Sequence, residues 1–134
     1  MKKILVAFSL LICLAVSAQN DIQFNELKHT FGKIPQNTPV TYSFSFTNNG
    51  SKALIVESAL AGCGCTTPEY PKEPIGKKKS GVIKVTYNAA TLGEFKKDVT
   101  VKFVNHPEPI VLLIDGEVLA GKGNAKKAKK SAEE

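Results

Sequence analysis

The sequence predicts an all-β protein, a single immunoglobulin-like antiparallel β-sandwich of about seven strands. Three observations carry this. Residues 40–47, Val-Thr-Tyr-Ser-Phe-Ser-Phe-Thr, alternate without a break, with Val40, Tyr42, Phe44 and Phe46 on one face and small hydroxyls on the other. That is the period-two signature of a half-buried strand. Clusters of proline, glycine and asparagine recur between the apolar runs at spacings that suit short strands. No internal segment holds a helical repeat of useful length. Residues 19–120 are a normal length for one domain around one core.

Taken in order, the elements open with residues 22–27 and a short stretch around Phe31. Residues 40–47 follow, then Asn48-Asn49-Gly50, which reads as a hairpin turn because asparagine and glycine tolerate positive φ. Residues 53–58 are the expected second arm of that hairpin. Residues 82–87, 94–104 and 110–119 are rich in β-branched and aromatic side chains, with Phe95, Val99, Val101 and Phe103 marking an inward face. Turn chemistry separates them at 35–39, 76–81, 88–93 and 105–109. The chain has no tryptophan and no distant cysteine pair to bridge two sheets, so it differs from antibody domains.

The two ends have a different character. Residues 1–18 read as an export signal: Lys2 and Lys3, an apolar run from Ile4 to Val16 interrupted by Ser9, then Val16-Ser17-Ala18 before the scissile bond. The run is shorter than the ~20 residues that span a bilayer, so no transmembrane anchor is expected after cleavage. Ile12 before Cys13 does not fit a lipidation site. Export places the chain in the periplasm or outside the cell, where disulfides persist. Residues 121–134 hold no large apolar side chain and read as a flexible tail, with Lys126, Lys127, Lys129 and Lys130 as a candidate contact for anionic surfaces. Setting aside the leader's two lysines and the tail's five lysines and two glutamates brings the formal charge from +6 to +1. The chain has no arginine, and no aromatic residue interleaves the tail's lysines, so nucleic acid is not an expected partner.

Chemistry concentrates at Cys63-Gly64-Cys65. Two thiols one residue apart can exchange disulfides, hold a soft metal or brace a turn. A catalytic thiolate needs a helix N-terminus or a cation beside it, and Pro68, Pro71 and Pro74 forbid a helix after this pair. Copper or zinc held by Cys63 and Cys65 would take a third ligand from His29, His106 or outside the protein, and a closed four-ligand zinc site would use Cys63, Cys65, His29 and His106 together. The structural reading has the pair either reduced and packed or bridged to each other, with Gly62 and Gly64 easing the backbone. The acidic residues are scattered and nominate no pair for acid–base work, and no phosphate cradle, Gly-x-Ser-x-Gly or His-Glu-x-x-His is present.

Phe31-Gly32-Lys33-Ile34, Phe44-Ser45-Phe46-Thr47-Asn48-Asn49-Gly50, Leu54-Ile55-Val56 and Cys63-Gly64-Cys65-Thr66 also carry a family likeness. It continues through Pro68, Tyr70, Pro74-Ile75, residues 81–85, residues 93–97 and Gly116-Glu117-Val118. On these the chain resembles a bacterial, mostly secreted, immunoglobulin-like domain family of unknown function, related to Hydin-type domains. Asn37 stands where that family tends to have glycine, and Lys77-Lys78-Lys79 replaces a Pro-Gly turn. The resemblance implies the sandwich and the exported location, and no activity. The expectation is therefore a non-enzymatic interaction or structural module that binds a protein or envelope component. The alternative is a periplasmic copper-binding or thiol-redox protein using Cys63 and Cys65.

Overall fold

The computed structural model describes residues 20–121. The expected signal at 1–18, and the tail from residue 122 with Lys126, Lys127, Lys129 and Lys130, lie outside the described residues. Eight strands follow one another: β1 (Ile22–Phe24), β2 (Lys28–Pro35), β3 (Val40–Asn48), β4 (Val56–Ala61), β5 (Thr66–Glu69), β6 (Ser80–Tyr87), β7 (Gly93–Phe103) and β8 (Ile110–Leu119). They form two four-stranded sheets, β1-β3-β6-β5 and β2-β8-β7-β4. Every pairing is antiparallel except β2 with β8.

The alternating run becomes β3 as expected. Phe44 and Phe46 are fully buried, while Thr41 and Thr47 face outward and share hydroxyl contacts with Thr86 and Ser80 on β6. Between the sheets, Phe46 sits 5.3 Å from Phe24 and 5.3 Å from Phe103, ring centre to ring centre. Ile83, Val85, Val99, Val101, Leu112, Ile114 and Val118 complete the core. Burying one such side chain contributes about 1.5–3 kcal/mol, so this layer is what holds the sheets together.

Three expectations are corrected. Asn48-Asn49-Gly50 is not a hairpin turn: β3 lies between β1 and β6, whereas β4 pairs with β7 in the opposite sheet. Asn48 is itself core, and its side chain bonds the backbone of Gly50 and Lys52 in the crossover and of Ile75 before β6. The strand expected at 53–58 runs instead over Val56–Ala61, and Leu54 makes only an isolated bridge to Ile75. An eighth strand, β5, was not expected, because Pro68 lies within it. Proline is tolerated there because β5 is an edge strand, bonded to β6 on one side only.

The two departures from the family pattern have a common geometry. Asn37 and Lys78 both adopt left-handed backbone, with φ of 61° and 62°. Asparagine reaches that region readily and lysine does so at some cost. The Lys78 N–H is held there by the carbonyl of Asn48 at 2.8 Å.

Candidate functional site

The cysteine loop is the crossover from β4 in one sheet to β5 in the other. Backbone bonds fasten it at three points. Gly62 N–H donates to the Asp98 carbonyl at 3.3 Å, Thr66 N–H to Cys63 at 3.4 Å, and Asn88 N–H to Cys65 at 3.0 Å. Cys63 and Cys65 are joined to each other by a disulfide. Both are half-buried; Cys65 leans on the hydrophobic core, while the flanking Gly62 and Gly64 are exposed. The Thr66 hydroxyl, on a residue only 4% exposed, lies 3.8 Å from each sulfur.

The two histidines are elsewhere. His29 stacks face to face on Tyr42 at 3.6 Å between ring centres and meets Phe31 edge-on. His106 sits edge-on to Phe103 in the β7–β8 connection. Among the described residues no group of three or more His, Cys, Asp and Glu is arranged to hold a metal ion. The thiolates that would bind a soft metal are available only after the disulfide is reduced.

A second feature was not read from the sequence. The chain begins in one sheet as β1 and passes to the other as β2, so each strand covers only part of an edge. β1 ends at Phe24 opposite Phe46, and the last bond on that side runs from Asn25 N–H to the Ser45 carbonyl at 3.0 Å. Asn48 bonds toward β6 through both its N–H and its C=O. Alternation therefore turns the backbone groups of Thr41 and Ser43 to the side away from β6, where no strand lies among the described residues. The same break exposes β8. β2 starts at Lys28 opposite Leu113, whose N–H meets the Leu27 carbonyl, so the backbone of Val111 faces an open side. A groove of about 930 Å³, lined by Ile22, Phe24, Leu27, His106, Pro109 and Ile110 among others, runs beside this gap. A strand-switch signal could have been sought in Asn25-Glu26, an adjacent polar pair that breaks the alternation of Ile22-Gln23-Phe24.

The β2 edge is guarded. β2 carries a register shift between Thr30 and Lys33, with Gly32 at φ 72°, and presents Lys28, Lys33 and Pro35. Bulges, lysines and proline are the usual means of blunting a strand edge. Lys28 reaches Asp115 of β8 at 2.6 Å. That ammonium first, then the Thr30 hydroxyl, holds the Asp115 carboxyl below the ordinary carboxylate range, against a smaller opposing effect of desolvation. A depressed carboxyl binds protons more weakly folded than unfolded. Its stabilisation is thus fully present above the unfolded value of about 3.9 and is lost as pH falls through the folded one. Asp115→Asn is expected to flatten the acid limb of stability against pH below about pH 4, read by urea unfolding at several pH values. An unchanged acid limb would remove Asp115 from that linkage.

Comparison with known proteins supports the architecture. A protein of unknown function from Porphyromonas gingivalis W83 superposes with a TM-score of 0.63 at 11% identity, over 72% of this chain and 46% of that one. The seventh PapD-like (ASH) domain of human CEP192 matches at 0.60 and 10% identity, over 76% of this chain and 87% of that domain. The Vibrio cholerae VesB protease matches at 0.59 and 14% identity, over 73% of this chain and 32% of the protease. The chain thus spans less than half the length of the first and third of these, and such identities show a shared fold alone. No curated protein matches. A family model, described as protein of unknown function (DUF1573), matches residues 22–118.

Proposed function

We propose that this chain, which belongs to the family of proteins of unknown function DUF1573, is an exported, non-catalytic interaction module. Its partner is a polypeptide of the periplasm or cell envelope, bound as an extended strand. One observation carries the reading: among the described residues no strand pairs with the edge of β3 at Thr41 and Ser43, whereas the edge of β2 is blunted. A strand laid there would continue the line of β1. Its alternate side chains would meet the half-buried Tyr42, His29 and Phe31 at the mouth of the sandwich. The PapD-like likeness is in keeping with a binding role, as is the kinship to Hydin-type domains that the sequence suggests. Fold likeness alone is weak warrant for function, so the open edge bears the weight.

The test uses peptides tiled across the exported proteins of the same cell. Peptides that bind are expected to protect the Thr41 and Ser43 amides from hydrogen exchange. Ser43→Pro, which deletes one outward N–H on an edge where proline is tolerated, is expected to weaken binding about tenfold while the fold persists. Binding that survives Ser43→Pro unchanged, or that protects only other strands, overturns strand addition at this edge.

A further inference from the structure

We propose that Cys63–Cys65 is an exchangeable disulfide that oxidises a cysteine pair in a partner polypeptide. The proposal goes beyond strand binding and does not depend on it. Its first ground is that the bond has little structural work to do. A disulfide stabilises by closing a loop in the unfolded chain, and the effect is least for the shortest loops. Here the bonded residues are two apart. The crossover they occupy is already fastened by the bonds of Gly62 to Asp98, Thr66 to Cys63 and Asn88 to Cys65. Reduction therefore leaves the sandwich its core and its ladders.

The second ground is access. Cys63 is half-buried between the exposed Gly62 and Gly64, and nothing lies within 4 Å of the position a side chain on Gly64 would take. The space beside Gly64 and the partial exposure of Cys63 leave that side of the loop to an incoming thiolate. The third is the buried hydroxyl of Thr66, equidistant from both sulfurs at 3.8 Å and able to turn toward whichever becomes a thiolate. A donor placed at a developing negative charge stabilises it where water is partly excluded.

In the exchange, a thiolate of the partner attacks Cys63, since Cys65 is the sulfur packed against the core. The new sulfur–sulfur bond forms as the Cys63–Cys65 bond breaks. The electron pair leaves on Cys65, beside the Thr66 hydroxyl, and is then protonated. The partner's second thiol loses its proton and attacks the partner's own sulfur in the mixed disulfide, expelling Cys63 as a thiolate that is protonated in turn. The partner loses two electrons and two protons, and the protein gains both.

The experiment uses the full chain carrying Cys13→Ser, so that Cys63 and Cys65 are the only cysteines. It is mixed with a synthetic peptide bearing two reduced cysteines, and separately with glutathione buffers of graded ratio. Alkylation and intact mass follow the thiols, and circular dichroism follows the fold. Two thiols are expected on the protein as the peptide loses two, with the fold unchanged. Thr66→Val is expected to slow the reaction about fivefold, the worth of one hydrogen bond. A pair that stays oxidised in reducing glutathione, or that reduces only as the domain unfolds, overturns the proposal and makes the bond a brace. An unaltered rate in Thr66→Val overturns the part given to Thr66.

Discussion

Replacing Asn48 with alanine is expected to lower the unfolding free energy by about 3 kcal/mol and the melting temperature by roughly 15 °C. The side chain is fully buried. Its amide nitrogen donates to the carbonyls of Lys52 at 2.7 Å and Ile75 at 2.8 Å, and its oxygen accepts the N–H of Gly50 at 2.9 Å. Alanine leaves all three without that partner. Lys52 is exposed, so its carbonyl can turn to water. The Ile75 carbonyl keeps the Leu54 N–H at 2.9 Å, but the buried Gly50 N–H is orphaned at a cost of about 1–3 kcal/mol, to which the lost packing of the buried amide adds. Asn48→Asp makes a sharper test. It keeps the acceptor for Gly50 but aims a carboxylate at two carbonyl oxygens. Burial raises the pKa of such a carboxyl, so the loss should be greatest at neutral pH and shrink as pH falls and the group protonates. Urea unfolding at pH 7 and pH 5 reads both effects. A loss below about 1 kcal/mol for Asn48→Ala would mean that water takes over the three bonds.

The same residue shows why the sequence was legible only in part. Asn48 continues the period of Val40, Tyr42, Phe44 and Phe46, and that parity is what buries it. Its polar identity, followed by Asn49-Gly50, instead suggested a turn between paired strands. Local turn chemistry signals a change of direction. It does not say whether the next strand returns beside the last one or crosses to the other sheet. β5 was hidden for a related reason: Thr66 and Thr67 suit a strand but Pro68 and Glu69 do not, and what makes the four a strand is the partner β6. The runs over 82–87, 94–104 and 110–119 were readable because burial of one face leaves a pattern in every such strand.

The site divided along the same line. The pairing of Cys63 with Cys65 is local, and spacing alone made it one of a small set of readings. The position of His29 is not local. The stacking of His29 on Tyr42 follows from which strands face each other, whereas His106 meets Phe103, three residues before it, edge-on within the β7–β8 turn. The open edge of β3 was invisible for the strongest reason: it is defined by where β1 stops, and so belongs to the topology rather than to any residue.

Gly81→Ala is expected to cost about 2–3 kcal/mol, although it adds only one methyl group near the start of β6. Gly81 pairs with Phe46 across the β3–β6 ladder and is buried beneath its ring. A methyl group there would lie 2.4 Å from Phe46 Cζ and 3.2 Å from Ile75 Cδ1. Either contact alone could be relieved by a small swing. The Phe46 ring cannot swing without disturbing its contacts with Phe24 and Phe103, which join β1 to β3 and the two sheets to each other. The cost should therefore be coupled to that ring and not to the backbone of β6. Phe46→Leu alone removes packing and is itself destabilising, yet in the double variant it makes room for the methyl group. The two losses are thus expected to sum to less than their separate values by about 1 kcal/mol or more in a double-mutant cycle. Strict additivity would place the strain of Gly81→Ala in the strand instead of the aromatic cluster. The position also reports on the open edge, because Phe46 marks the point at which β1 ends and the unpaired part of β3 begins. A Gly81→Ala chain that displaces Phe46 and loosens β1 should lengthen that edge, and hydrogen exchange at the Asn25 and Thr47 amides would register it.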